Sequence, residues 1–240
     1  MIAQVLAFVR EEQIEFFGIG AMAAAYQTLQ TALKQEIPQG SRLPRVISLA
    51  FTRPPAVAEV TPDSGVQRQP HEVSIPRPRL SSTTSRLCEL FRSRGYRAKT
   101  HAPGLPGLPK MAGRLAGLGW IGRNSLLIIP GPGPRVALAA VLTDAPLPVT
   151  CKEPVENHCG NCRRCVDACP ANAYTGEPFR ETDPLTVRFD PDKCRRWCEE
   201  LRDQRRSPEI CSDEGDCCGG VCNLCAKACP YGEGKCLLGG

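Results

Sequence analysis

The chemistry available to this sequence is concentrated in its cysteines. Residues 158–170 read HCGNCRRCVDACP. A Cys-x-x-Cys-x-x-Cys run followed by Cys-Pro one helical turn further on lets a short loop wrap three corners of a cubic iron–sulfur cluster. The pattern Cys-x-x-Cys-x-x-x-Cys-Pro at Cys162, Cys165, Cys169 and Pro170 recurs at Cys222, Cys225, Cys229 and Pro230, sixty residues later. Duplication of one cluster-binding unit is the simplest account. One loop cannot reach all four corners of a cube, and in the two-cluster pattern the proline-preceding cysteine of each run serves the other cluster. Cys159, Cys162 and Cys165 are therefore expected to hold one [4Fe-4S] cluster together with Cys229, while Cys169 crosses to join Cys222 and Cys225 on a second. The second site still needs a fourth thiolate. Cys218 precedes Cys222 by a three-residue gap where two are expected, and Cys194 in DPDKC lies further upstream.

Other uses of cysteine fit less well. Zinc knuckles would show two separated Cys-x-x-Cys pairs without the Cys-Pro endings. A disulfide scaffold needs an oxidising compartment, and the opening residues MIAQVLAFVREEQIEF lack a basic start, a sustained apolar run and a small-residue cleavage site. A cytoplasmic protein is expected, without a membrane span, because no window approaches eighteen consecutive apolar residues. The formal charge of +5 invites a nucleic-acid partner, with basic residues gathered between Arg77 and Lys99. Two four-iron clusters at about −2 each with their thiolates would bring the total to roughly +1, which reads as a solvated basic face.

Cysteine usage also divides the chain. Of the 15 cysteines only Cys88 precedes residue 150, so residues 1–150 are expected to form a cofactor- or partner-binding domain and residues 151–240 a two-cluster domain. In the first part a helix is expected from Ala21 to about Glu36, followed by a strand over PRVISLAF. The stretch from Thr52 to Pro78 reads as an extended loop. A second helix is expected from a cap at Ser81 or Ser82 to about Arg94, stopped by Gly95, and YRAKTH resumes as a strand. The Gly- and Pro-dense segment APGLPGLPKMAGRLAGLGWIGRN suggests backbone packed closely against another surface. SLLIIP and RVALAAVLTD read as strands joined by GPGP, apolar enough for a central sheet covered on both faces.

The segment LAGLGWIGRNSLLIIPGPGPRVALAAVLTDAPL, followed by CGNCRRCVDACP and CNLCAKACP, resembles the core of the epoxyqueuosine reductases, cobalamin-dependent enzymes related in architecture to the reductive dehalogenases. The resemblance covers roughly residues 95–232. It implies an α+β fold: a nitroreductase-like, cobalamin-binding α/β sandwich followed by a small ferredoxin-like domain with two [4Fe-4S] clusters that feeds electrons to cobalt. It makes Cys194 the fourth ligand of the second cluster. It also places Gly119, Trp120, Ile121, Gly122, Arg123 and Asn124 along the corrin or where they fix the sheet around it. Where these reductases carry an Asp in an Asp-Ser-Ala-Pro stretch as proton donor, this chain reads Thr100, His101, Ala102 and Pro103, so His101 is the substitute donor, imidazole being a group that exchanges protons near neutral pH.

An iron–sulfur oxidoreductase follows, with a corrinoid as the expected acceptor and flavin as the alternative. Electrons would come from a donor such as ferredoxin or flavodoxin, and the substrate would be a small molecule or tRNA. The rival reading is a non-catalytic electron carrier or reductive activator, to which the missing Asp points. Cys88, Cys151, Cys198, Cys211, Cys217, Cys218 and Cys236 are left over as structural thiols, with a further metal site among Cys198, Cys211, Cys217 and Cys218 as the sharper alternative. GLGWIG is not followed by a clear helix within a βαβ unit, so a dinucleotide fingerprint is not expected.

Overall fold

The computed structural model describes residues 1–33, 42–52, 77–100, 107–151, 153–205 and 222–232. His101, most of the loop expected from Thr52 to Pro78, the end of the first expected helix, and Cys211, Cys217, Cys218 and Cys236 lie outside the described residues.

A four-stranded antiparallel sheet organises the first part, in the order β1 (Phe16–Ala21), β2 (Arg45–Thr52), β6 (Val136–Thr143) and β3 (Ala98–Thr100). Its two central strands are apolar almost throughout, β2 reading RVISLAFT and β6 VALAAVLT. Alternation puts Ile47, Leu49 and Phe51 on one face of β2, and Val46 on the other. The first face is covered by α1 (Ile2–Glu11) through Val5 and Phe8 and by α3 (Arg77–Arg92) through Leu87 and Phe91. The second is covered by Met22, by α2 (Ala23–Leu33) through Ala25, Tyr26 and Leu29, and by α4 (Leu108–Leu115) through Leu108, Met111 and Ala112. Two-sided covering, not strand direction, accounts for the continuous apolar runs. Each large side chain buried there contributes about 1.5–3 kcal/mol.

Two expectations are corrected. SLLIIP does not join the central sheet: β4 (Trp120–Ile121) and β5 (Leu127–Ile128) form a separate two-stranded ribbon. The turn between them leaves room for little else, because Asn124 Oδ1 accepts the Leu126 amide and the Ser125 amide bonds Gly122 O. The second helix begins at Arg77, ahead of Ser81 and Ser82, since Pro78 suits a first turn. It ends before Gly95, whose φ of 82° lets the chain reverse, with the Tyr96 amide returning to Phe91 O. The helix α1 and strand β1 were not foreseen.

Among the described glycines of the segment, Gly113, Gly117, Gly119 and Gly122 are closely packed, and Gly119 meets backbone. A β-carbon on Gly119 would stand 1.9 Å from Ile128 O, where β4 and β5 meet. Gly119→Ala is therefore expected to lower stability by about 1–3 kcal/mol through overpacking, read as a lower denaturation midpoint with the same slope.

In the second part, each cysteine run ends in one short helix, α5 (Arg164–Asp167) and α7 (Leu224–Lys227). Between them lie a 3-10 turn (Leu185–Val187) and α6 (Pro191–Arg205), whose first amides, from Asp192 and Lys193, are capped by Asp190 Oδ1.

Candidate functional site

The duplicated cysteine runs approach each other through α5 and α7, and the ribbon β4–β5 clamps both. Arg123 donates to Gly160 O at 2.6 Å in the first run, and its other guanidinium nitrogen to Gly176 O. Asn124 Nδ2 donates to Cys225 O at 3.3 Å in the second. Arg135, at the start of the last sheet strand, donates to Tyr231 O at 2.9 Å and Lys227 O at 3.0 Å. A cation on the last carbonyls of α7 satisfies groups a helix end leaves orphaned. Asn157 Nδ2 donates to Ile121 O, and its Oδ1 accepts the Cys159 amide.

Four of the expected ligands, Cys159, Cys162, Cys165 and Cys229, line one hollow of about 310 Å3, counting the part open to solvent. Gly122, Arg123 and Asn124 form its opposite wall with Ile128, Pro230 and Tyr231. Burial pushes the Cys165 thiol up to about 12, and the charges of Cys229, Cys159, Cys225 and Cys162 push the same way. Burial likewise raises Cys229 to about 11, while the Tyr231 amide bonded to it and the Arg135 guanidinium pull it down. A second neighbourhood gathers around Cys225. Its thiol is raised by burial and by Cys222, Cys169 and Cys194, against a hydrogen bond from Tyr174 that lowers it. A metal bound here would have to displace these protons, so its binding would release protons and weaken as pH falls.

The hollow fits an anionic cluster on a further ground. Arg123 Nε is buried without a hydrogen-bond partner on the hollow's wall, and a stranded cationic N–H calls for a negative group nearby. Among the described residues no three or more His, Cys, Asp or Glu side chains converge as around a single metal ion. A four-iron cube asks for a different arrangement, since each thiolate binds its own corner.

Trp120 is 2% exposed and stands between this hollow and another. Its ring meets Tyr231 edge-on at 4.8 Å and His158 at 5.1 Å, and it shares a cluster of side chains with Cys229 and Cys159. On its other side a hollow of about 470 Å3 is lined by Arg114, Ile121, Val155, Glu156, Asn157 and Phe179. Gly119 and Ile121 serve the ribbon itself. Thus the six residues from Gly119 to Asn124 lie between the sheet and the cysteine runs.

Cys198, on α6 one turn beyond Cys194, is 1% exposed. Cys151 is half-buried with its sulfur 2.8 Å from Glu153 O, and Cys88 is buried in the core between the sheet and α3. Two residues with roles at this site carried no signal in the sequence. Arg135 and Tyr174 each act on partners more than fifty positions away.

No protein-family model matches the chain. Comparison with curated proteins finds 34% identity over 127 residues to an epoxyqueuosine reductase of Leadbetterella byssophila, and 36% over 118 residues to one of a Synechococcus species. The chain is related to the epoxyqueuosine reductases. The two matches take in 52% and 49% of this chain but 37% and 32% of those reductases, so the chain spans about a third of the length of the curated relatives it matches. Among solved structures, an epoxyqueuosine reductase crystallised with an epoxyqueuosine-modified tRNA stem loop superposes with a TM-score of 0.57 at 17% identity, covering 97% of this chain and 65% of that one. A reductive dehalogenase, described as working by B12-dependent dehalogenation, superposes with a TM-score of 0.58 at 19% identity, covering 91% of this chain and 30% of that one. The epoxyqueuosine reductase likeness thus extends to the fold.

Proposed function

We propose that this chain is a cytoplasmic iron–sulfur oxidoreductase of epoxyqueuosine reductase type, divided near residue 150 into a sheet domain and a two-cluster domain. One observation carries the reading. Cys229 of the second run has first-run thiols as neighbours, and Cys169 of the first run has Cys225 as a neighbour. That is the exchange of ligands a two-cluster unit requires. Cys159, Cys162, Cys165 and Cys229 would hold one [4Fe-4S] cluster, and Cys169, Cys194, Cys222 and Cys225 the other. Bound clusters supply one-electron transfer, which side chains alone do not.

The residues around them do three things. Arg123, Asn124 and Arg135 hold the two runs against the ribbon. Tyr231 and Trp120 close the first site from water. Trp120 offers electrons a route through a buried ring toward the hollow that it shares with Arg114 and Phe179. That space suits a drug-sized ligand and is smaller than cobalamin with its nucleotide, so the path proposed here ends at Trp120. A corrinoid is the acceptor to which the relatives point, since the dehalogenase is described as B12-dependent, with flavin as the alternative. His101 is the proposed proton donor, a ferredoxin or flavodoxin the proposed electron source, and tRNA the proposed substrate, because the related reductase was crystallised with a tRNA stem loop.

Electron paramagnetic resonance of the full chain, reconstituted without oxygen and reduced stepwise with and without hydroxocobalamin, tests this. A cobalt(II) signal of the base-off form, rising alongside the cluster signals, is expected. Cluster signals with cobalt unbound would contradict the corrinoid acceptor and leave an electron-transfer protein, the reading favoured by His101 standing where the reductases carry Asp. A dependence of tRNA binding on salt, steep in log–log form, is expected for a tRNA substrate, and no binding at low salt would remove it.

A further inference from the structure

Tyr174 lies outside both cysteine motifs, yet its phenol reaches one of the proposed ligands. Its hydroxyl donates to Cys225 Sγ at 3.4 Å, and Cys194 and Cys169 are also close enough to act on it. These three thiols come from three different parts of the chain: the first run, α6, and the second run. Next to it, the Ala173 amide donates to Cys169 Sγ at 3.5 Å.

The phenol is held there by its own small framework. The Tyr174 ring stacks on Phe189 at 5.1 Å and 26°. Backbone pairing runs alongside: Tyr174 and Phe189 form an antiparallel bridge, the Thr175 amide bonds Arg188 O, and the Asp190 amide bonds Ala173 O at 2.8 Å. Asp190 in turn caps the helix that carries Cys194. A tyrosine needed only for packing would not require an oxygen at the thiol. Phenylalanine would stack as well on Phe189, so the hydroxyl is the part of the residue that stacking leaves unexplained.

The geometry points to Tyr174 as the residue that sets the reduction potential of the second cluster, by donating a hydrogen bond to the Cys225 thiolate. This rests on the proposal that Cys225 ligates that cluster. A donor on a ligating sulfur draws electron density away from the iron and stabilises the reduced, more negative cluster, so the potential rises. Among the described residues, the first site receives its counterpart from a backbone amide, that of Tyr231 to Cys229. A side-chain donor can be altered by mutation and an amide cannot, so the second cluster is the one whose potential this chain can tune independently.

The test is an anaerobic redox titration of the reconstituted full chain, followed by electron paramagnetic resonance, with iron and sulfide counted on the same samples. In Tyr174→Phe, iron content is expected to match the wild type. One of the two cluster potentials should move to a more negative value, by about tenfold in the reduction equilibrium or about 59 mV for a one-electron couple, with the other unmoved. Site-specific 3,5-difluorotyrosine at 174 keeps ring and hydroxyl but donates more strongly, and should move the same potential the opposite way. Two unmoved potentials at full iron content in both variants would overturn the inference and leave Tyr174 a packing residue. If Tyr174→Phe loses iron, the difluorotyrosine protein decides alone. Wild-type protein that takes up a single cluster would instead defeat the two-cluster proposal itself, a result distinct from unmoved potentials.

Discussion

Replacing Cys229 by Ala is expected to abolish the cluster of the first cysteine run, even though Cys229 belongs to the second. The physical reason is placement. Cys229 lines the same hollow as Cys159, Cys162 and Cys165, closed by Tyr231 and Arg123, and a cube that loses a corner thiolate in a buried site has no water-free substitute for it. Iron content should fall to about half. Double variants then distinguish crossed from uncrossed ligation, because residues that serve one cluster are not additive. Cys159→Ala with Cys229→Ala should retain the same half, whereas Cys222→Ala with Cys229→Ala should retain almost none. The opposite pattern, in which the Cys222 and Cys229 pair keeps half the iron, would contradict the assignment. Cys169→Ala is the mirror image and should be non-additive with Cys225→Ala.

Stripping the iron is expected to unfold the cysteine runs while leaving the sheet domain folded. The two parts are held by different forces. In the sheet domain Leu49, Phe51, Leu87 and Phe91 are almost fully buried together, and such a core stands on apolar burial alone. The runs have little of this: α5 and α7 are four residues each, far below the length at which a helix persists by itself. On the proposed ligation the clusters would organise them, so that metal binding and folding would be one equilibrium, worth on the order of 10 kcal/mol for a structural metal site. After anaerobic removal of iron, hydrogen exchange should show protection lost at residues 159–170 and 222–232 and kept in β2 and β6. Retained protection in both runs would show that they fold without metal.

How much of this was legible from the sequence depended on whether partners were near in the chain. The candidate cluster ligands stood out because a thiolate at each corner of a cube would demand cysteine at fixed spacing. The strands around Ile47 and Val141 were readable because two-sided burial leaves long apolar runs. SLLIIP was apolar too, yet it became a ribbon beside the cysteines, since an apolar run reports burial and not the partner against which it is buried. The start of the helix at Arg77 was hidden by two serines that look like caps but are exposed. Arg135 and Tyr174 could not be singled out in advance: one meets carbonyls and the other a sulfur only after the two runs fold against the ribbon. Cys194 was proposed from the resemblance to epoxyqueuosine reductases alone, since it lies on α6, where no spacing rule reaches.

The most direct measurement is iron and acid-labile sulfide per chain in anaerobically reconstituted protein, combined with Mössbauer spectroscopy of the oxidised form. About eight irons and eight sulfides, with all iron in the valence-delocalised pairs of four-iron cubes, is the result expected for two clusters. About four irons, or zinc bound in place of iron, would contradict the two-cluster account.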